Sequence, residues 1–329
     1  MSGAPMIELW RGGRLESAHL GHAVICDTTG QIVESWGDPT ALIYPRSSCK
    51  MVQGLPLVES GAADAAGLEP RRLALACASH SGAAIHTDTV TRWLGDLGLS
   101  EADLRCGSHM PQDKPAQKGL VCSDTQPCQI HNNCSGKHSG FLTLTKHMKA
   151  GPEYVEIDHP VQRAVRAAFE DVTGEDSPGH GIDGCSAPNF ATSVTGLARA
   201  MAAFAGADGK PGARAAAMVR LRDAMRAHPE MVAGEERACT NLMRATGGKV
   251  AIKGGAEAVY VAILPEAGLG VALKIVDGGT RASEAAIAAL LVKLGVIEAG
   301  HPAIKAHLGT QRNWRGIETG EIRTAPGFA

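Results

Sequence analysis

The chain has 329 residues, of which 44% are hydrophobic and 20% are charged, and its formal net charge is −2. A chain of this length can bury a full hydrophobic core, and its near-neutral charge, without long runs of one sign, excludes an electrostatic surface for nucleic acid or an anionic membrane. Aromatic residues make up only 4% against 40 glycines, which excludes a base-stacking platform and predicts many tight turns.

Strands are predicted first, because apolar alternation covers 6–10, 22–26 and 31–36. A small-residue helical stretch follows at 60–63, and the apolar run 73–78 predicts a buried element. Amphipathic spacing predicts a helix over 87–97, followed by Gly98. Further helices are predicted at 137–149, 160–172, 213–227, 235–245 and around 287–294, with two paired strands at 249–263 and 270–276.

Residues 106–133 differ from the rest of the chain, because they are polar, interrupted by proline and rich in Cys, Gln, Asp and His. This composition predicts a long loop over a site. Strands at both ends with helices between them predict a mixed α/β (α+β) fold, with a sheet from N- and C-terminal strands packed with helices. We predict one domain over 1–329 without a clear internal boundary, and 206–212 is its weakest link.

The first candidate for chemistry is Ser47-Ser48-Cys49-Lys50, which places a hydroxyl and an amine three residues apart. One helical turn would bring them to the same face, where serine can be a nucleophile and neutral lysine its base. Ser-x-x-Lys is common, however, and on spacing alone we favour a helix start capped by Ser47 with a solvated Lys50.

Two further motifs change this balance. Ser79-His80-Ser81 follows an apolar run, and Lys253-Gly254-Gly255 lies in a strand-rich region. The order parallels the motif set of serine β-lactamases and penicillin-binding proteins. Ser81 and Gly254 differ from the asparagine and threonine of that set, so the likeness indicates a mechanism and not a substrate.

A dense cluster of metal-capable residues occupies 131–140, and an isolated cysteine lies on a glycine-rich turn at Cys185. Thiolates from two loops suit zinc, which favours Cys134 and Cys185 as ligands. A local site of Cys122, Cys128, His131 and Cys134 is an alternative from spacing, and burial as small hydrophobic residues is another. Nine cysteines, no ~20-residue apolar span and no signal-peptide pattern predict a cytoplasmic protein without a disulfide framework.

Four blocks in this order resemble the rhizobial-type (class 3) L-asparaginases of the asparaginase II family, over nearly the whole chain. The blocks are 44–53 (YPRSSCKMVQ), 76–82 (ACASHSG), 131–138 (HNNCSGKH) and 183–188 (DGCSAP). The resemblance implies a serine β-lactamase-like fold, a homodimer, and hydrolysis of L-asparagine to L-aspartate and ammonia.

The resemblance also implies a role for particular residues. Ser47 would be the nucleophile and Lys50 its base, with Ser79 and Lys253 as a second serine and lysine pair. The zinc ligands would be Cys134, Lys137 and Cys185, and the substrate would be bound by Arg46, His138 and Asp183. Lysine binds zinc only as a neutral amine, so a lowered pKa of Lys137 is expected.

Two alternatives remain open. The same scaffold could serve a glutaminase or another serine and lysine amidohydrolase, such as one acting on β-lactams, because pocket size cannot be read from sequence. A non-catalytic zinc-binding structural protein would also use the cysteines, and Ser47 would then only cap a helix. That alternative does not explain the second serine and lysine motifs, at Ser79 and Lys253.

Overall fold

The computed structural model describes residues 3–329. Its strands are β1 (Ala4–Arg11), β2 (Arg14–Asp27), β3 (Ile32–Trp36), β4 (Leu42–Ile43), β5 (His180–Ile182), β6 (Pro188–Phe190), β7 (Thr192–Ser193), β8 (Ala251–Gly255), β9 (Val259–Leu264), β10 (Leu269–Ile275), β11 (Gly309–Arg312) and β12 (Glu318–Thr324). Its helices are α1 (Lys50–Gln53), α2 (Leu55–Glu59), α3 (Ala62–Ala65), α4 (Pro70–Ala76), α5 (Ala84–Asp96), α6 (Lys114–Cys122), α7 (Ser135–His147), α8 (Pro160–Thr173), α9 (Val194–Ala205), α10 (Ala213–Ala227), α11 (Pro229–Val232), α12 (Ala238–Ala245), α13 (Thr280–Lys293) and α14 (Pro302–Lys305).

The described residues form two compact units, each built from more than one segment of the chain. The first unit contains the chain up to Ser48, Thr192–Gly206 and Asn241–Ala329, and the second contains Cys49–Ala191 and Ala207–Thr240. The chain passes from the first unit to the second after Gly206, within the segment 206–212 that was predicted to be the weakest candidate boundary. The single family domain over 1–329 stays a prediction.

The first unit is organised around an eight-stranded antiparallel sheet. Its strand order is β11-β12-β1-β2-β10-β9-β8, and β3 also pairs with β2. The central pairing joins the two ends of the chain, because Val24 on β2 lies opposite Ala272 on β10. Strands from both ends therefore make one sheet, which confirms the predicted mixed α/β fold.

Helices α9 and α13 cover this sheet, and one contact explains how α9 comes so close. A Cβ atom placed on Gly270 of β10 would lie 2.0 Å from the backbone nitrogen of Ala202 on α9. Only glycine fits where helix and strand backbones approach this closely. Strand β9 is buried along its whole length, so the core lies on both sides of the sheet centre.

The second unit is helical and is organised around α7. The first eleven residues of α7 are all buried, and α4, α5 and α8 pack around it. Gly136 permits the contact with α4, because a Cβ atom there would lie 2.4 Å from the backbone oxygen of Leu75. Trp93 of α5 is fully buried, and its indole Nε1 donates to Thr143 Oγ1 at 3.0 Å. The N-terminal turn of α7 is thus held in the interior of this unit.

Most predicted elements are present, and two predictions were wrong. The predicted loop over 106–133 contains α6, which Asp113 caps through a bond from Ala116 N–H to Asp113 Oδ2 at 3.0 Å. The predicted strand over 249–263 is two strands, β8 and β9, joined by a turn in which Glu257 and Ala258 both have φ of 57°. No helix among residues 3–329 has the length and apolar composition that a membrane span requires.

Candidate active site

Ser47 lies in a single 3₁₀ turn, Arg46–Cys49, that continues directly into α1. The turn begins at Arg46, whose φ of 53° is in the left-handed region that side chains rarely adopt. Pro45 O accepts bonds from the amide of Ser48 at 3.2 Å and from its hydroxyl at 2.7 Å. Ser47 is half-buried, and its neighbour Ser48 is fully buried. The turn is therefore fixed by two bonds from Ser48 to Pro45 O, while the Ser47 side chain retains some exposure.

Strand β8 lies directly against this turn. A Cβ atom on Gly255 would lie 2.8 Å from Pro45 O, 2.9 Å from Ser48 N and 3.3 Å from Ser47 N. The same strand carries Lys253, which is 1% exposed and whose Nζ donates to Gly254 O at 2.7 Å. The structure thus places the Ser47 turn beside the strand of the predicted second lysine.

Lys50 is completely buried, so the expectation from spacing alone, a solvated lysine, was wrong. Its Nζ lies within hydrogen-bond distance of the backbone oxygen of Ala78, of Ser79 Oγ at 3.1 Å and of Cys134 Sγ at 3.1 Å. Three residues singled out in separate motifs, Lys50, Ser79 and Cys134, therefore meet at one amine.

The loop that carries Ser79 is held by backbone bonds on both sides. The amide of Ser79 donates to Val232 O at 2.9 Å, and that of His80 donates to Asn133 O at 3.1 Å. The His80 ring accepts from the Gly82 amide at Nδ1 (3.1 Å), so its Nε2 donates to Ser135 Oγ at 2.9 Å. Burial lowers the pKa of His80 well below its ordinary value, which keeps the ring neutral and this bonding pattern intact.

Two thiols and an amine converge at the start of α7. Lys137 Nζ lies 3.1 Å from Cys185 Sγ, and all three of Cys134, Lys137 and Cys185 are buried. A hydrogen bond from Cys134, together with the Lys137 charge, lowers the pKa of Cys185 well below its ordinary value against the effect of burial. The hydrogen bond and burial raise the pKa of Cys134. Cys185 is therefore the more acidic of the two thiols, and Asn133 Oδ1 lies 3.1 Å from Cys134 Sγ.

Lys137 differs from the expectation of a lowered pKa. Burial lowers the pKa of its amine, but the negative charges beside it, chiefly that of Cys185, raise it by more, so the net pKa lies above the ordinary value. The contact between Lys137 and Cys185 thus joins an amine of raised pKa to a thiol of lowered pKa. A metal bound here would have to displace a proton from Lys137.

The donor set is consistent with zinc only if lysine takes part. Among residues 3–329, no group of three or more His, Cys, Asp or Glu side chains is arranged to hold a metal ion. The local alternative was wrong, because Cys122 is exposed on α6 and Cys128 pairs only with His131 Nδ1, at 3.3 Å. Two sulfurs and one nitrogen at Cys134, Cys185 and Lys137 match the ligand types that zinc prefers. The residues present fit the metal.

The three predicted substrate-binding residues occupy different settings. His138 is fully buried on α7, and its Nδ1 lies 2.9 Å from Tyr154 Oη. Asp183 forms a turn in which its amide donates to Ala187 O at 2.9 Å and its Oδ1 accepts from Gly184 N–H at 2.8 Å. Arg46 lies 4.0 Å from the Glu257 carboxylate.

The sequence motifs did not indicate three residues that contact this site. Asn133 lies beside Cys134, His80 forms a hydrogen bond with Ser135, and Tyr154 contacts His138. Asn133 and His80 lie inside the quoted blocks, so their position was a usable signal. Tyr154 lies outside all four blocks, and the sequence around it does not indicate its contact with His138.

Comparison with known proteins settles the family. The sequence pattern of the L-asparaginase II family matches residues 7–324. The chain belongs to the L-asparaginase II family. Membership identifies the protein as an amidohydrolase that acts on asparagine, with a small molecule as its substrate. Among curated proteins, none matches the sequence.

Solved structures that resemble this chain are distant from it in sequence. One is Mglu in its native form, at 12% identity and a TM-score of 0.45, covering 89% of this chain and 69% of Mglu. A second structure of Mglu has 12% identity and a TM-score of 0.48, with 89% and 72% covered. A β-lactamase from Mycobacterium bovis has 10% identity and a TM-score of 0.43, with 84% and 95% covered.

Proposed function

We propose that this protein hydrolyses L-asparagine to L-aspartate and ammonia, with Ser47 as the nucleophile and Lys50 as its base. The observation that supports this most is the buried Lys50 amine, which donates to Ser79 Oγ at 3.1 Å. A solvated surface lysine would have neither this burial nor this partner. Ser47 and Lys50 lie on successive turns of one short segment, where residues three apart share a face.

The reaction follows from these groups. Ser47 Oγ attacks the side-chain amide carbon of asparagine while Lys50, as the free amine, takes the hydroxyl proton. The tetrahedral oxyanion is stabilised by backbone N–H donors, and its collapse breaks the C–N bond. The proton passes to the leaving nitrogen, which departs as ammonia. Water then hydrolyses the aspartyl ester and restores Ser47. Ser79 and Lys253 are proposed to relay protons and to supply positive charge toward the substrate.

Arg46, His138 and Asp183 are proposed to bind the substrate. Arg46 can hold the α-carboxylate through two parallel bonds, which point charges cannot do. Its left-handed backbone supports this role, because strained conformations of non-glycine residues are concentrated at functional sites.

We propose that Cys134, Lys137 and Cys185 hold zinc. The converging, buried sulfur and nitrogen donors support this assignment. When bound, the metal would supply a Lewis-acidic charge beside the substrate. We propose that it orders the pocket, because serine and lysine residues for the chemistry are already present. Metal analysis of the purified protein should find one zinc per chain, lost in Cys185→Ala. A chelated protein that binds asparagine normally but does not turn it over would contradict the ordering role.

A direct assay tests the catalytic proposal. Ammonia release from asparagine and from glutamine, and the colour change of a chromogenic β-lactam, should be measured for the parent, Ser47→Ala and Lys50→Met. We expect activity on asparagine in the parent and a loss of about 10³-fold or more in both variants. Ser60→Ala and Lys210→Met, at exposed positions, are matched controls that should keep full activity.

The assay also separates the alternatives. Faster turnover of glutamine than of asparagine would indicate a glutaminase on the same scaffold. Zinc-replete parent protein without any of the three activities, which unfolds on chelation, would support the structural zinc protein. Calorimetric binding of asparagine to Ser47→Ala would show that this variant has lost its nucleophile and not its pocket.

We further propose a homodimer in the cytoplasm. All nine cysteines are free thiols, which is typical of a reducing compartment. Sedimentation equilibrium should give twice the chain mass of 34.1 kDa. A mass of a single chain at micromolar concentration would contradict the dimer.

A further inference from the structure

Glu257 lies on the turn between β8 and β9, two residues after the glycine that packs on the Ser47 turn. Its carboxylate lies 4.0 Å from Nη1 of Arg46, which is beyond hydrogen-bond distance, and its side chain is 66% exposed. Two opposite charges are thus presented side by side, one of them on the residue directly before Ser47. A small charged solute can reach the carboxylate from solvent.

The backbone of this turn is held in a conformation that its residue types do not favour. Glu257 and Ala258 both have φ of 57°, in the left-handed region that glycine, asparagine and aspartate prefer. Two bonds fix the turn on β10, because Lys274 Nζ donates to Glu257 O and the amide of Ile275 donates to Ala258 O at 3.1 Å. A turn that needed only its shape would be more stable with glycine at position 257. A side chain held in such a conformation is typical of a functional site.

A neighbouring carboxylate, that of Asp277, is engaged elsewhere. Its Oδ2 lies 2.6 Å from His19 Nδ1, and its Oδ1 accepts from the Gly279 amide at 2.8 Å. Glu257 Oε2 lies next to Gly278, where an added Cβ atom would be 3.0 Å from it. Of these two carboxylates, the one at Glu257 therefore faces the guanidinium group that precedes the proposed nucleophile.

The chemistry of the substrate requires such a pair of charges. An α-amino acid carries an ammonium group and a carboxylate on the same carbon atom. Arg46 is the proposed partner of the carboxylate, so a partner of the ammonium group has to be an anion close to Arg46. A glutamate carboxylate only accepts hydrogen bonds and an ammonium group only donates them, and such charge-assisted bonds are the strong ones. Glu257 has the required charge at the required place.

We propose that Glu257 is a specificity-determining residue, which accepts hydrogen bonds from the α-ammonium group of the substrate while Arg46 binds its α-carboxylate. The site then selects free α-amino acids. It discriminates against amides without the ammonium group and against N-acylated asparagine, which has lost this charge. The inference rests on the proposed function, because it assumes that Arg46 binds the α-carboxylate.

Succinamate tests this role, because it is asparagine with hydrogen in place of the ammonium group. We would measure kcat/KM for ammonia release from both compounds with the parent, Glu257→Gln and Glu257→Asp. Glu257→Gln should lower kcat/KM for asparagine about ten-fold, mainly through a higher KM, since a bond between charged groups is lost at an exposed position. Hydrolysis of succinamate should be unchanged or faster, because Arg46 no longer has an anion beside it. Glu257→Asp keeps the charge and should keep most of the preference for asparagine.

Glu266→Gln is the matched control. The Glu266 carboxylate lies 3.7 Å from Lys249 Nζ and its side chain is 65% exposed, so it resembles Glu257 in both pairing and exposure. This variant should change the hydrolysis of neither compound. Equal losses for asparagine and succinamate in Glu257→Gln would indicate a structural role and overturn the inference. A preference for asparagine that survives in Glu257→Gln and is lost in Asp183→Asn would also overturn it, since Asp183 would then bind the ammonium group.

Calorimetry separates this inference from the proposed function. Asparagine and succinamate are titrated into Ser47→Ala and into the same variant carrying Glu257→Gln. We expect tighter binding of asparagine to Ser47→Ala and a loss of that preference in the double variant. If this were observed while the parent released no ammonia, the proposed hydrolysis would fail and the inference would stand. Ser47→Ala without any preference for asparagine would overturn the inference, whatever the activity of the parent.

Discussion

Gly255→Ala tests the close approach of β8 to the Ser47 turn. The added Cβ would lie 2.8 Å from Pro45 O and 2.9 Å from Ser48 N. Both neighbours are backbone atoms of a turn that is already held by the bonds of Ser48 to Pro45, so neither can rotate away. The strand or the turn must shift as a unit by several tenths of an ångström. Added methyl groups in a packed region typically cost about 1–3 kcal/mol of the free energy of unfolding.

The shift should also affect catalysis, because Ser47 is the proposed nucleophile. A misplacement of about 1 Å in a reacting group can lower the rate about 100-fold. We expect kcat for asparagine to fall by roughly ten- to a hundred-fold, with the free energy of unfolding lowered by about 1–3 kcal/mol. The measurements are steady-state ammonia release and denaturant unfolding.

Gly95→Ala is the matched control, since Gly95 is an exposed residue of α5 and a Cβ atom there has no neighbour within 4 Å. Helix propensity predicts a gain of about 0.5–1 kcal/mol for this change and no change in kcat. The same substitution thus has opposite effects at the two positions. Parent-like stability and kcat in Gly255→Ala would refute the tight contact between β8 and the Ser47 turn.

Three further changes have predicted effects. Burial holds the pKa of His80 below its ordinary value, so the unfolded chain binds the proton first, and the free energy of unfolding falls as pH drops below about 6.5, by up to about 1.4 kcal/mol per pH unit. Urea unfolding should therefore show a smaller loss of stability between pH 7 and pH 5 in His80→Gln than in the parent. An equal loss in the two proteins would contradict this assignment. Gly270→Ala should lower the free energy of unfolding by about 3 kcal/mol or prevent folding, because its Cβ would lie 2.0 Å from Ala202 N. A soluble variant that unfolds like the parent would contradict the close packing of α9 on β10. Trp93→Phe removes the buried bond to Thr143 and some packing, and should cost about 1–3 kcal/mol in the same assay, while an unchanged midpoint would argue against that bond.

The sequence predicted those helices that bury one face and expose the other. Helix α5 was recognised because Val90, Trp93 and Leu94 are buried at helical spacing beside exposed positions. Helix α9 was not predicted, because nearly all of its residues are buried and its sequence therefore lacks a polar stripe. The break between β8 and β9 was missed because Glu257 and Ala258 adopt left-handed conformations that neither residue type signals.

The sequence predicted individual residues of the candidate site but not the contacts between them. The four sequence blocks indicated Ser79 and Cys134 separately, but only the folded chain shows that Lys50 contacts both. Such contacts depend on how α4 and α7 pack, which local spacing does not determine. The sequence also could not predict the raised pKa of Lys137, because that pKa depends on the balance between burial and the nearby Cys185 charge.

The pairing of β2 with β10 has a consequence for synthesis of the chain. Ile25 lies opposite Val271, so β2 leaves the ribosome long before its partner exists. At about 5–20 residues per second, the delay is on the order of 10 to 50 s. During that time the edge of β2 that β10 later covers is open to pairing with other chains, which is a known route to aggregation. Slow translation or truncation before β10 should therefore lower the soluble yield of this protein more than damage to any single side chain of its active site.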